Sequence, residues 1–287
     1  MQIKQIKYPV EQSDPPRSAR ETLPTMYDLP SENQEEPGWP DEFHYLQSNF
    51  ISLTFHPKHY PLEEVFHAGN INLYYDVRHH SWSKRPDWFG VVGVSRLYDN
   101  RDLRLSYVMW QEMVAPTVVV ELLSPGTESE DLGKRTRLSS EPPTKWEVYE
   151  QILKVPYYIV FNRYTDEFKV FVLTAGFYQE IKLKEPKIWM PQLELGLGLW
   201  SGEYEGLNRV WLRCYDADGN WILTPSEREA VAQAKLLAAS EREAVAQEKL
   251  LAAEQERDAE RDRAEAEREK SQRLEELLRQ HGIDPLG

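Results

Sequence analysis

Residues 117–123 read Thr-Val-Val-Val-Glu-Leu-Leu, and no other run restricts the chain as much. β-branched side chains at four successive positions favour extended backbone. An apolar run without alternation fits a strand covered on both faces, as in the middle of a sheet flanked by helices. The one interruption is Glu121. A carboxylate in so apolar a strand is costly unless it is paired with a cation or bound to a metal. The chain therefore needs a sheet with two covered faces and, within it, a partner for Glu121.

Further strand candidates are residues 72–77, 87–94, 106–109, 157–162, 168–173, 178–182 and 193–195. Residues 157–183 read as a three-stranded meander with turns at 164–166 and 175–176. Between the Glu121 strand and this meander lies TKWEVYEQILKV, with Trp146, Tyr149, Ile152 and Leu153 on one helical stripe. That order predicts an α/β fold, a mixed sheet whose parallel pair is joined by a short helical crossover. Residues 211–223 predict a closing hairpin. Its Asp-Gly turn resembles half of a calcium loop but lacks the remaining ligand positions and the distal Glu, so it reads as a turn.

Composition divides the chain into three parts. Residues 1–42 form an extended arm rich in Pro and Glu, whose Met26, Tyr27, Leu29 and Trp39 can pin it to the body. Residues 43–225 hold the strand signals and form the domain proper. In residues 226–287 the segment SEREAVAQAKLLAA is followed by SEREAVAQEKLLAA, differing only at Ala234 and Glu248. Fourteen residues are two heptads, so one helix face stays in register. Its seam, with Val231, Leu237, Val245 and Leu251, is thin, and Glu248 falls inside it. Two readings stay open: a marginal coiled coil that makes a homodimer, or an exposed helical tail stopping at Gly282 and Pro285.

The net charge of −14 argues against a nonspecific basic coat for nucleic acid. Much of it sits outside the body: residues 226–287 carry 16 acidic and 11 basic residues, and residues 1–42 carry 9 and 4. A local phosphate-binding groove in the body remains compatible with that balance. One cysteine, Cys214, excludes an intramolecular disulfide. Neither a membrane-spanning helix nor a secretory signal is expected, and the location expected is cytoplasmic.

Zinc-protease, serine-hydrolase and phosphate-loop motifs are absent, and LELGLGLWSG (193–202) reads as a strand edge rather than a dinucleotide turn. His79 and His80 are adjacent and would point to opposite faces of a strand, which disfavours joint chelation. The informative residues are acidic. Asp87 opens the strand candidate at 87–94, and Glu121 follows 34 residues later. Two carboxylates on neighbouring strands make a hard-oxygen site suited to Mg²⁺ or Mn²⁺. The plain alternative is an ion pair of Glu121 with Lys134, Arg135 or Lys145.

Pro-Asp at a strand start, the strand ending in Glu-Leu-Leu-Ser-Pro-Gly-Thr, and a Lys-containing helix running into Val-Pro-Tyr-Tyr resemble the Uma-type restriction-endonuclease family, a branch of the PD-(D/E)XK nucleases. The resemblance covers about residues 43–200 and implies a restriction-endonuclease-like mixed sheet. It implies Asp87 and Glu121 as metal ligands, with the carbonyl of Leu122 completing the set around Mg²⁺ or Mn²⁺. It implies Lys145 as the catalytic lysine, displaced onto the helix because Leu123 stands where the superfamily lysine would be; Lys134 is its rival. One extra residue separates Tyr149 from Val155 relative to the family spacing. Asp131 matches a further acidic position, and Glu42 stands for the N-terminal helix glutamate, with Glu63 and Glu64 as alternatives. Ser124 and Thr127 can contact phosphate or cap the next helix. The activity implied is metal-dependent hydrolysis of DNA, with Arg78, Lys84, Arg85, Arg96, Arg101 and Arg104 as candidate phosphate contacts. The competing reading is a non-catalytic binding or scaffold protein that recruits partners through its tail.

Overall fold

The computed structural model describes residues 14–29, 41–124, 128–138 and 141–280. Trp39, Thr127 and the stop expected at Gly282 and Pro285 lie outside them. The chain divides into two compact units, Met1–Thr224 and Pro225–Gly287.

The arm contributes α1 (Ala19–Thr22), beyond which Met26 and Leu29 are buried against Tyr74, Tyr98, Val108 and Trp110. Tyr27 stays exposed, its hydroxyl donating to Asp102 at 2.9 Å. Next comes α2 (Glu42–Thr54), capped by Asp41, whose side chain accepts from the His44 N–H. Phe43, Gln47, Phe50, Ile51 and Thr54 form its buried stripe. Then follow β1 (Val65–Ala68), β2 (Leu73–Tyr74), β3 (Ser83–Lys84), β4 (Trp88–Val92), β5 (Tyr107–Val108), α3 (Met109–Glu112) and β6 (Val118–Leu122). The crossover holds α4 (Glu128–Asp131) and α5 (Lys145–Glu147), the latter continuing as a π-helical turn over Val148–Ile152. The meander is β7 (Tyr157–Asn162), β8 (Glu167–Thr174) and β9 (Phe177–Glu180).

The main sheet has six strands in the order β1-β4-β6-β7-β8-β9. Only β6 and β7 are parallel; the other neighbours are antiparallel. The mixed sheet with a helical crossover expected from the sequence is what the chain forms. Strand β6 is buried throughout, because each of its faces meets a different core. Val118, Val120 and Leu122 pack with Phe43, Phe50 and Ile51 of α2. Val119 and Leu123 pack with Val148, Tyr149 and Leu153 of the crossover.

The first of these cores is closed by an antiparallel sheet of β10 (Lys187–Met190), β11 (Leu195–Tyr204) and β12 (Leu207–Tyr215). The LELGLGLWSG segment is thus its middle strand, not an edge. Glycine is required there for packing: a Cβ on Gly196 would fall about 2.0 Å from the Tyr215 ring. The Asp-Gly turn after β12 closes by bonds from the Asp218 and Asn220 N–H groups to the Asp216 carboxylate, the turn expected in place of a calcium loop. The expected strand at 72–77 shrinks to the two residues of β2, which pairs with β3 and β5 in a small separate sheet.

The second unit contains α6 (Pro225–Gln280), one continuous helix of 56 residues, roughly 80 Å long. None of its described residues is buried, and Leu236 is 74% exposed. Among the described residues no helix is long and apolar enough to cross a membrane.

Candidate active site

Antiparallel pairing sets Trp88 against Val120 and Phe89 against Val119, so the next pair outward is Asp87 and Glu121. Because side chains alternate, Asp87 and Glu121 share the sheet face of Phe89 and Val119, the face that the crossover covers. The pairing continues in polar form. The Asp87 N–H donates to Glu121 Oε2 at 3.3 Å, and the Leu122 N–H donates to Asp87 Oδ2 at 2.6 Å.

The crossover then delivers a cation. Thr144 and Glu147 form a capping box that starts α5, and Glu130 accepts the Lys145 backbone N–H at 3.0 Å. Trp146 packs on Gly133, where φ is +66° and a Cβ would meet the indole at 2.7 Å, so glycine permits the close approach of α4 and α5. Lys145 Nζ therefore reaches both Glu121 Oε2 at 3.0 Å and Asp131 Oδ1 at 2.9 Å. The π turn follows at once, with Leu153 N–H donating to the Val148 carbonyl five residues back. A π turn absorbs one residue more than an α turn, and this one falls in the stretch from Tyr149 to Val155 where the resemblance implies an extra residue. It also re-aims the helix: Val148 and Tyr149 are fully buried, whereas Ile152, expected on the buried stripe, is 44% exposed. Tyr149 donates its hydroxyl to Glu121 Oε1 at 2.9 Å.

Glu121 is wholly inaccessible, Asp131 nearly so, and Lys145 is about one-fifth exposed. Burial pushes the Glu121 carboxyl well above the usual carboxylate range; the Lys145 ammonium opposes the rise, while Asp87 and Asp131 add to it. Burial raises Asp87 as well, against the pull of Lys145 and His44. For Lys145 burial acts downward, but Glu121, Asp131 and Asp87 outweigh it and hold the ammonium well above the usual lysine range. Fully ionised, the cluster sets three carboxylates against one ammonium.

The structure brings Asp87, Glu121, Asp131 and Lys145 together. Lys134 is exposed and has no ion pair among the described residues. Glu42, in the first turn of α2, makes no hydrogen bond with this cluster among the described residues. Glu63 and Glu64 accept backbone N–H groups of the segment 93–96 through their carbonyls, away from the cluster. The expected basic cluster is largely spent. Arg104 is buried in a two-point pair with Glu112, Lys84 pairs with Glu130, and Arg78 pairs with Asp76. Sequence reasoning missed His44, whose ring spans Asp41 Oδ1 at 2.8 Å and the Leu122 carbonyl at 3.0 Å.

The donor chemistry fits a hard divalent cation. Asp87 and Glu121 offer carboxylate oxygens, and the Leu122 carbonyl keeps a second lone pair beside the one facing His44. Among the described residues no three His, Cys, Asp or Glu side chains converge closely enough to hold an ion alone. Mg²⁺ is commonly held by one or two carboxylates, with waters and phosphate oxygens filling the rest.

A family profile described as "Uma2: Putative restriction endonuclease" matches residues 25–210. The chain belongs to the Uma2 family. The match takes in Asp87, Glu121, Asp131 and Lys145 and ends within β12, so α6 stands outside the Uma2 region. Among solved structures, a "putative nuclease belonging to DUF820" from Anabaena variabilis ATCC 29413 aligns over 54% of this chain and 76% of that one, with 12% identity and a TM-score of 0.39. No curated protein matches the chain.

Proposed function

We propose that the protein is a metal-dependent endonuclease that hydrolyses phosphodiester bonds of DNA. The observation carrying this reading is the surplus of carboxylate around Lys145, next to Asp87, in a chain of the Uma2 family. Asp87, Glu121 and the Leu122 carbonyl would hold Mg²⁺ or Mn²⁺. When bound, the ion lowers the pKa of water and offsets charge growing on the phosphate.

The protein groups divide the remaining work. Tyr149 bonds one oxygen of Glu121 and the Asp87 N–H the other, which fixes the orientation of its carboxylate. The Leu122 N–H fixes Asp87 in the same way. Glu121 and Asp131, in contact with its Nζ, favour the protonated form of Lys145. Its ammonium would serve as a point charge that stabilises the phosphorane-like transition state or orients water. Asp131 keeps that ammonium in place.

Cleavage of plasmid and short duplex DNA with Mg²⁺ or Mn²⁺ tests the proposal. Asp87→Asn and Glu121→Gln should each lower the rate at least ~100-fold while the circular dichroism spectrum stays native. Full activity in either variant would end the site assignment.

A further inference from the structure

A second polar site lies at the start of α2 and is not explained by packing. Asp41, Glu42, Phe43, Arg163, Arg209 and Trp211 line a cavity of about 250 Å³. Three nitrogen donors on its lining residues are buried without an acceptor, Nε of Arg163, Nε of Arg209 and the indole Nε1 of Trp211, so the other guanidinium N–H groups of the two arginines are the ones left to meet a ligand. Arginine and tryptophan side chains donate only, so the missing partner is an acceptor. Natural proteins leave few buried polar groups unpaired, and three around one cavity call for a common cause.

Charge points the same way. The guanidinium carbons of Arg163 and Arg209 lie 5.1 and 4.5 Å from the centre of the same Phe43 ring. Arg163 has a counter-ion, Asp41 Oδ2 at 2.8 Å. Arg209 has no ion pair among the described residues and rests on the Phe43 and Trp211 rings. The opposing charge is Glu42, an exposed lining residue. The cavity is also wired to the site described above. Asp41 binds Arg163 with one oxygen and the His44 ring with the other, and His44 faces the Leu122 carbonyl.

We propose that this cavity is a phosphate-binding subsite in which Arg209, with Arg163, grips a backbone phosphate of the nucleic-acid strand beside the one being cut. The proposal rests on the nuclease reading for its ligand, though not for its chemistry. Arginine forks fit phosphate oxygens at two points, and flat aromatic support keeps the fork oriented before the ligand arrives.

The test uses the full chain carrying Glu121→Gln, which binds without cutting, alone and with Arg209→Gln or Arg209→Lys added. A labelled short duplex is titrated at several salt concentrations, and inorganic phosphate is titrated while the arginine Nε–H resonances are followed by NMR. Thermal melting checks that each variant is folded. Arg209→Gln should weaken duplex binding about ten-fold and lower the salt slope by about one. Arg209→Lys should restore the slope but not the whole affinity. Inorganic phosphate should shift the Arg163 and Arg209 resonances saturably, and Arg209→Gln should abolish that response. Duplex affinity and slope unchanged by Arg209→Gln would overturn the subsite. Arg209-dependent phosphate binding in a protein with no affinity for duplex would uphold the anion site and sink the nuclease reading instead. Binding of neither probe would overturn both.

Discussion

Two buried charge clusters in this molecule have opposite characters. Arg104 and Glu112 meet in two parallel bonds of 2.8 and 3.0 Å, with side chains 1% and 2% exposed. The remaining Arg104 donors reach the carbonyls of Ser95 and Arg96, and the guanidinium lies over the Phe66 ring at 4.4 Å. Charge is balanced one to one, and four of the five Arg104 N–H donors are used. Around Lys145 the balance fails: Glu121 and Asp131 share one ammonium, a third carboxylate, Asp87, lies beside them on the Leu122 N–H, and that ammonium is partly open to solvent. Burial of charge alone therefore does not separate the two clusters. What sets the candidate site apart is a carboxylate excess that the fold holds in place without cancelling.

The contrast predicts opposite responses to the same chemical change. Glu112→Gln breaks a saturated pair and strands Arg104, which should cost about 3–5 kcal/mol in urea unfolding. Glu121→Gln removes a carboxylate whose charged form burial disfavours, so stability at neutral pH should hold or rise. Equal destabilisation by the two substitutions would erase the distinction.

Next in size is an effect of pH. Burial on β1, with help from Arg96 and His56, lowers His67 to about 4. Its depressed value means that the unfolded chain takes up the proton first, so stability is lost as pH falls from 6.5 towards 4. The loss should reach up to about 3 kcal/mol and should vanish in His67→Phe. Glu121 has the reverse sign: its raised value gives a contribution present below 4.5 and lost as pH rises through the folded-state value. Melting the wild type, His67→Phe and Glu121→Gln across this range separates the two slopes.

The smallest effect concerns Tyr149. Tyr149→Phe keeps the ring and removes the bond to Glu121, which should cost about 1–2 kcal/mol and slow cleavage. A slower rate with unchanged stability would make the hydroxyl a positioning group alone.

Much of this site is legible in the sequence because its signals are local. The apolar run around Glu121 specifies a central strand by itself, and the spacing of TKWEVYE puts Lys145 at the start of a helix. What escapes is long-range or too short to show a period. His44 meets Leu122 across 78 residues, and nothing near His44 announces that contact. β2, β3 and β5 have two residues each and arise from tertiary packing rather than strand propensity. The pairing of Arg104 with Glu112 cannot be read from composition, so a run of basic residues looks like a phosphate-binding surface until the fold consumes it. Ile152 is misplaced because a 3.6-residue period does not anticipate a π turn.

The most direct test of the central claim is a calorimetric titration with Mg²⁺ and Mn²⁺, comparing the intact chain with Glu121→Gln, each with and without a short duplex. Saturable binding to the intact chain, at the latest once duplex is present, and its loss in Glu121→Gln are expected. Metal binding that survives Glu121→Gln unchanged, or no binding by the intact chain even with duplex, would contradict that claim and leave Glu121 as a structural partner of Lys145.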